Sequence, residues 1–216
     1  MPSAAKAGLE LPAARHPSPR TQRAQNLSLA QGALAGIKKK ALAEKRILVF
    51  IDESGLSQKP HRVRTWSPRG ETPVLQYNFN WKSLSVIAGL TIWNFYFRLY
   101  PGSIKSPQVI EFLEHLQRHI RGKLLVIWDG APIHRSRLVR DYLDGLHGQI
   151  WVEPLPAYAP ELNPTEYIWG YFKQHQLANV CARDLAQLSH LGRKALGRMR
   201  RRPKLITAFW KQAELW

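Results

Sequence analysis

The sequence predicts an α/β fold on one mixed sheet, with antiparallel first strands, then parallel strands, flanked by helices. Three observations carry this. The runs Ile47–Ile51 and Leu124–Trp128 are continuous stretches of large apolar residues, the pattern of strands buried on both faces. Two further strand-like runs, Ser83–Trp93 and Phe95–Tyr100, meet around Asn94 as a hairpin. From Ser106 onward, helical periodicity alternates with strand periodicity, the order that right-handed crossovers require.

The elements follow in order. Residues 1–36 are rich in Ala, Pro, Ser, Gln and Arg without sustained periodicity and are expected to be flexible or weakly helical. Ile37–Lys45, with Lys38, Lys39 and Lys40 in a row, reads as a short basic helix or a linker. The first strand begins at Arg46 and stops on Asp52. The polar loop Arg64–Pro73 is punctuated by Pro68, Gly70 and Pro73. Ser106 as cap and Pro107 at the first position open a helix with Val109, Ile110, Leu113, Leu116 and Ile120 at helical spacing, and Gly122 ends it. The second apolar strand stops on Asp129. A helix over Arg135–Leu143 leads to a strand over Gln149–Leu155, and a proline-rich loop leads to a helix opening at Pro164. At 216 residues the chain suits one core with two tails: a flexible basic segment 1–45, a folded domain 46–190 and a basic helical tail 191–216.

Charge is distributed in keeping with that division. The net charge is +17, from 32 Lys/Arg against 15 Asp/Glu. Residues 1–46 and 191–216 each carry +7, whereas 47–190 carry only +3. Basic ends of this kind meet polyanions, nucleic acid first. The single cysteine, Cys181, excludes an internal disulfide and a cysteine-based zinc framework. The apolar runs are far below the roughly 18–20 residues of a membrane span, so no membrane is expected. The N-terminus lacks an apolar signal segment, and the expected setting is the cytoplasm, associated with the nucleoid.

Three acids stand where an α/β sheet collects ligands. Asp52 and Asp129 each end a buried apolar strand, and parallel neighbouring strands would bring them side by side. Such like charges call for a raised pKa or a cation between them. Glu166 lies in Asn163-Pro164-Thr165-Glu166, where Asn163 suits the N-cap, Pro164 the first helical position and Glu166 the third. A capping box is one reading of Glu166. The other is a carboxylate held rigidly beside the sheet edge. Three carboxylates without cysteine favour Mg²⁺ or Mn²⁺, and two such ions about 3.5–4 Å apart perform phosphoryl transfer. The combination points to a metal-dependent nuclease or strand-transfer enzyme.

The pieces FIDESG, RTWSPRGETP, VIWDGAPIH and LPAYAPELNPTEYIW, in this order over about residues 46–180, resemble the DDE endonuclease domain of bacterial insertion-sequence transposases related to mariner elements. The 37 residues from Asp129 to Glu166 suit that family. The resemblance implies a ribonuclease-H-like fold in which Asp52, Asp129 and Glu166 are catalytic and bind Mg²⁺ or Mn²⁺, as two ions. It implies hydrolysis at element ends and strand transfer by the freed 3′ hydroxyl, with double-stranded DNA as partner and a dimer or higher assembly on DNA. Family members usually carry helix-turn-helix domains ahead of the catalytic domain, and residues 1–45 do not resemble them. A separately encoded helix-turn-helix subunit is therefore an expected partner. The alternative is an inactive or partner-dependent DNA-binding fragment. A phosphatase reading fails because Ser54 stands where its second acid belongs.

Other residues keep two readings each. His134 is a hydrogen-bonded helix-start residue or, as the motif implies, adjacent to the active site, as is Asn163. Glu53 alternates to the face opposite Asp52 and is not counted as a ligand. Trp66, between Arg64 and Arg69, either stacks on bases while the arginines hold phosphates or closes a hairpin over the core. Trp128 and Trp169 are expected to fill the core. Arg198, Arg200, Arg201, Arg202 and Lys204 form a DNA-contacting surface that docks back on the domain, or a solvated tail.

Overall fold

The computed structural model describes residues 19–77, 82–156 and 160–215, so the expectation for residues 1–18 lies outside it. Helix α1 (Pro19–Ala43) precedes strand β1 (Ile47–Ser57), the hairpin of β2 (Ser83–Leu90) and β3 (Phe95–Pro101), and helix α2 (Ser106–His119). Then come β4 (Leu124–Trp128), α3 (Arg137–Gly145), β5 (Ile150–Pro154), a 3₁₀ turn Pro160–Leu162, α4 (Pro164–Tyr171), a π-helical turn Phe172–Gln176, α5 (Leu185–Arg200) and α6 (Pro203–Gln212). The sheet order is β3-β2-β1-β4-β5, with β1/β2 and β2/β3 antiparallel and β1/β4 and β4/β5 parallel. This is the mixed sheet that the sequence predicts. The N-cap of α2 is Lys105, one residue before the predicted Ser106, and its backbone N–H donates to Gln108 Oε1 at 3.0 Å.

Alternation along the central strands divides the core into two layers. Phe50, Leu125 and Ile127 face a layer that includes Phe172, Leu196, Phe209 and Trp210 from the later helices. Val49, Ile51, Val126 and Trp128 face the other layer, built with Phe112, Leu113 and Leu116 of α2 and Val139 of α3. Both faces of β1 and β4 are therefore dry, which is why those strands read as unbroken apolar runs.

Two expectations need correction. Residues 19–43 form one continuous 25-residue helix, the helical one of the readings open for residues 1–36 and 37–45, and not a flexible segment. Its Leu27, Ala30, Leu34, Ile37 and Ala41 recur at three- and four-residue steps; the first four pack on the first layer and Ala41 is also buried. Because two of the five are alanines, hydropathy hardly marks this stripe, while Ala, Gln and Lys favour the helix by propensity. The described part of 191–216 is helical and docks back on the domain, as the first of the two readings given for its basic residues requires, but the boundary at 190/191 is wrong, because α5 starts at Leu185 and would be cut there. Leu188, Ala195, Leu196 and Met199 are buried, Ile206, Phe209 and Trp210 of α6 follow them, and Trp210 Nε1 donates to Thr91 O at 3.0 Å. Gly192 permits this approach, since a Cβ there would stand 3.3 Å from Leu99 Cδ2. Among the described residues no helix is long and apolar enough to cross a membrane.

Candidate active site

The parallel register places the first two acids. Phe50 pairs with Ile127, the last pair of β1 with β4, so Asp52 and Asp129 each lie two residues further along neighbouring strands. Alternation assigns Asp52 to the side of the sheet that α4 covers, and Asp129 is the first residue past β4. The first strand does not stop on Asp52 as the sequence suggested: beyond Phe50, β1 continues to Ser57 paired with β2, while β4 ends at Trp128.

Helix α4 is fixed against β1 by its own N-terminus. Asn163 Oδ1 accepts from Thr165 N at 3.1 Å, and the buried Thr165 hydroxyl donates to Phe50 O at 3.2 Å, tying the helix start to β1. Asn163 is thus a cap, as the sequence predicts. Glu166 is exposed, and its backbone N–H donates to Asn163 O at 3.1 Å. One turn on, Trp169 Nε1 donates to Asp52 Oδ2 at 2.9 Å. Trp169 is therefore both a buried filler and a partner of the first acid, a role that the sequence reading missed. The signal was its spacing: three residues after Glu166 on a helix is the same face. The π-helical turn that follows α4 is a rare element often found near functional sites.

Electrostatics set Asp52 apart. Burial first, and then the neighbouring charge of Glu166, push its carboxyl up to about 7, against the opposing pull of the Trp169 hydrogen bond. Two mutually repelling carboxylates at a strand end are what a divalent cation neutralises.

Asp129 is held differently. Its side chain is 52% exposed, and Oδ1 accepts from Ala131 N at 2.9 Å and lies 2.9 Å from His134 Nδ1. His134 is buried, stacks on Trp128 and places Nε2 3.0 Å from Glu53 Oε1. Burial alone would lower the His134 pKa, but the hydrogen bond and charge of Glu53, with Asp129, raise it. Glu53 does point away from Asp52, as alternation predicts, and its role as the partner of His134 was not visible in the sequence. Among the described residues no three acids, histidines or cysteines are already gathered to hold a metal. The oxygen-only donors Asp52, Asp129 and Glu166 nevertheless fit a hard ion in kind, because the Asp52–Glu166 repulsion is relieved by one.

The basic residues lie on separate elements. Arg64, Trp66 and Arg69 are exposed on the long β1–β2 loop, and Trp66 is 100% exposed, so it does not close a hairpin over the core. The base of that loop is pinned by Asn179, whose side chain exchanges two 2.9 Å hydrogen bonds with the Val63 backbone. Arg198, Arg200, Arg201, Arg202 and Lys204 are all exposed. Arg202 donates to the Tyr171 hydroxyl at 2.8 Å and Arg198 to Gln176 Oε1 at 3.3 Å, beside α4 and the π turn, whereas Arg200 lies over Phe97 of β3. Past Asp52, a cleft of about 320 Å³ is lined by Lys59, His61 and Lys173 together with Gly55 and Ser57.

Comparisons with known proteins agree with this arrangement. In fold the chain is similar to the catalytic domain of Mos1 mariner transposase, with a TM-score of 0.61 at 19% identity over 94% of this chain and 93% of that one. It is also similar to the Mos1 transposase paired-end complex with left transposon end (TM-score 0.64, 22% identity, 100% of this chain, 65% of that one). The Mos1 paired-end complex with Mn gives a TM-score of 0.63 at 22% identity, over 100% of this chain and 65% of that one. The chain thus spans 65% of the length of these two full-complex relatives, and its fold is ribonuclease-H-like. No curated protein matches its sequence. The model of the DDE superfamily endonuclease matches residues 47–189, from the start of β1 into α5. With that match covering most of the sheet and all three acids, the chain belongs to the DDE superfamily of endonucleases.

Proposed function

We infer that the chain is the catalytic part of a DNA transposase, cutting phosphodiester bonds at element ends and joining the freed 3′ hydroxyl to target DNA. The observation that carries this reading is the register that lines up Asp52 with Asp129, with Glu166 presented by α4 beside Asp52. Asp52, Asp129 and Glu166 would hold Mg²⁺ or Mn²⁺, as a pair of ions; Mos1 complexes with Mn and with Mg support that choice. When bound, the ions activate the attacking oxygen and stabilise the leaving one. The protein's own residues supply the rest. Trp169 fixes Asp52, Asn163 and Thr165 fix the start of the helix that carries Glu166, and the buried strands hold both aspartates in register.

Double-stranded DNA is the substrate. Lys59 and Lys173, with the His61 ring beside them in the cleft past Asp52, the Arg64–Trp66–Arg69 loop and Arg198, Arg201, Arg202 and Lys204 around the α5–α6 junction supply phosphate contacts, with Arg200 on the β3 side. A helix-turn-helix partner reads the element ends, the working form on DNA is a dimer or higher, and the setting is the nucleoid. Nicking of supercoiled plasmid by the purified chain with Mn²⁺, Mg²⁺ or chelator tests the chemistry. Metal-dependent nicking is the expected result, and nicking that persists in chelator contradicts it.

A further inference from the structure

We propose that His134 is a positioning residue that fixes the Asp129 carboxylate for metal binding, with Glu53 in turn fixing His134. The proposal rests on the reading of Asp129 as a metal ligand. The His134 ring is 3% exposed and lies nearly flat on Trp128, with centroids 4.4 Å apart and 7° between planes. Nε2 lies 3.0 Å from Glu53 Oε1, and Nδ1 lies 2.9 Å from Asp129 Oδ1 and 3.3 Å from the Asp129 main-chain oxygen. The stack sets the plane of the ring and Glu53 sets its rotation within that plane, so the Nδ1–H bond has one direction left to take.

That direction ends on the main-chain oxygen of Asp129 and brings Nδ1 within ion-pair reach of its carboxylate Oδ1. Oδ1 accepts from Ala131 N at 2.9 Å, while Oδ2 accepts no hydrogen bond among the described residues. One oxygen is committed to the protein and the other is left for a cation. A ligand pinned in this way has less rotamer freedom to lose, and outer-shell partners of this kind are typically worth about 10–100-fold in metal affinity. The ring also joins the two strand ends: Glu53 neighbours Asp52 in β1, and Asp129 follows β4. The spacing between the two aspartates therefore depends on a side chain that neither strand contains.

Asparagine and glutamine separate the two nitrogens, because an Asn amide sits near Nδ1 and a Gln amide near Nε2. Mn²⁺ binding to the purified chain without DNA, followed by titration calorimetry, is compared for wild type, His134→Asn, His134→Gln, Glu53→Gln and Asp129→Asn, alongside each metal-free thermal midpoint. The expected result is a loss of about 10–100-fold in His134→Gln, substantial recovery in His134→Asn, a smaller loss in Glu53→Gln, and the largest in Asp129→Asn. A purely structural ring would lower the midpoints of both His134 variants without separating their Mn²⁺ affinities. Equal affinity in wild type, His134→Gln and Glu53→Gln overturns the proposal and leaves the reading of Asp129 standing. Mn²⁺ binding untouched by Asp129→Asn overturns that reading, and the positioning role with it.

Discussion

Strands β1 and β4 start from the same sequence device, five apolar residues and an aspartate, and the two aspartates arrive at opposite environments. In β1, two residues past the last pair with β4, Asp52 lies beneath α4, hydrogen-bonded to Trp169 and repelled by Glu166, with its carboxyl raised to about 7. Just past β4, Asp129 is half exposed, with Oδ1 accepting from a backbone N–H and within ion-pair reach of His134, whose Nδ1 bonds the Asp129 main-chain oxygen. The first acid stores electrostatic tension in a rigid wall, and the second is open and oriented by hydrogen bonds. An ion binding between them would relieve the tension of one and use the orientation of the other.

The largest effect expected from breaking this pair is on catalysis. Asp52→Asn, Asp129→Asn and Glu166→Gln should each reduce Mn²⁺-dependent plasmid nicking by at least about 10²-fold, more than the loss of an outer-shell partner. Full activity in any one of them removes that acid from the site. Next in size is the wall behind Asp52. Trp210→Ala removes a buried ring that meets Phe50 edge-on at 5.4 Å and should cost about 3–5 kcal/mol in denaturant unfolding; a cost near zero would return α6 to the status of a tail.

The tension at Asp52 has a pH signature. Its folded pKa of about 7 lies above the ordinary 3.8, so the folded protein holds the proton more tightly than the unfolded chain. The resulting stability is fully present below 3.8 and is lost as pH rises through 7. In chelator, Asp52→Asn should therefore gain on the order of 4 kcal/mol over wild type at pH 8 and little at pH 4, read from unfolding midpoints across that range. A constant difference across the range would show that Asp52 carries no such strain. The smallest expected effect is at the exposed loop: Trp66→Ala should weaken DNA binding by about 1–3 kcal/mol if the ring stacks on a base, without moving the thermal midpoint. A shifted midpoint would mean that the ring packs on the protein.

These contrasts explain what was legible in the sequence. Both aspartates could be placed because a strand buried on both faces announces itself as an apolar run, and parallel pairing needs only register to align its ends. Asn163 was legible because a cap is local chemistry. The Trp169–Asp52 bond and the Glu53–His134–Asp129 chain were not, since they join residues 117 and 81 positions apart, or cross between strands, through side-chain directions that pattern does not encode. Helix α1 was missed for another reason: its contact face is partly alanine, which packs closely but contributes little hydropathy. The charge pattern misled in one respect, because the basic C-terminal segment carries its arginines on the outside of helices whose inner faces complete the core.

The most direct test of the site is a crystal of the chain soaked in Mn²⁺, with the ions located by their anomalous scattering. The account predicts signal between Asp52, Asp129 and Glu166, abolished in Asp129→Asn crystals. Mn²⁺ bound elsewhere, or at these acids without any contribution from Asp129, would contradict it.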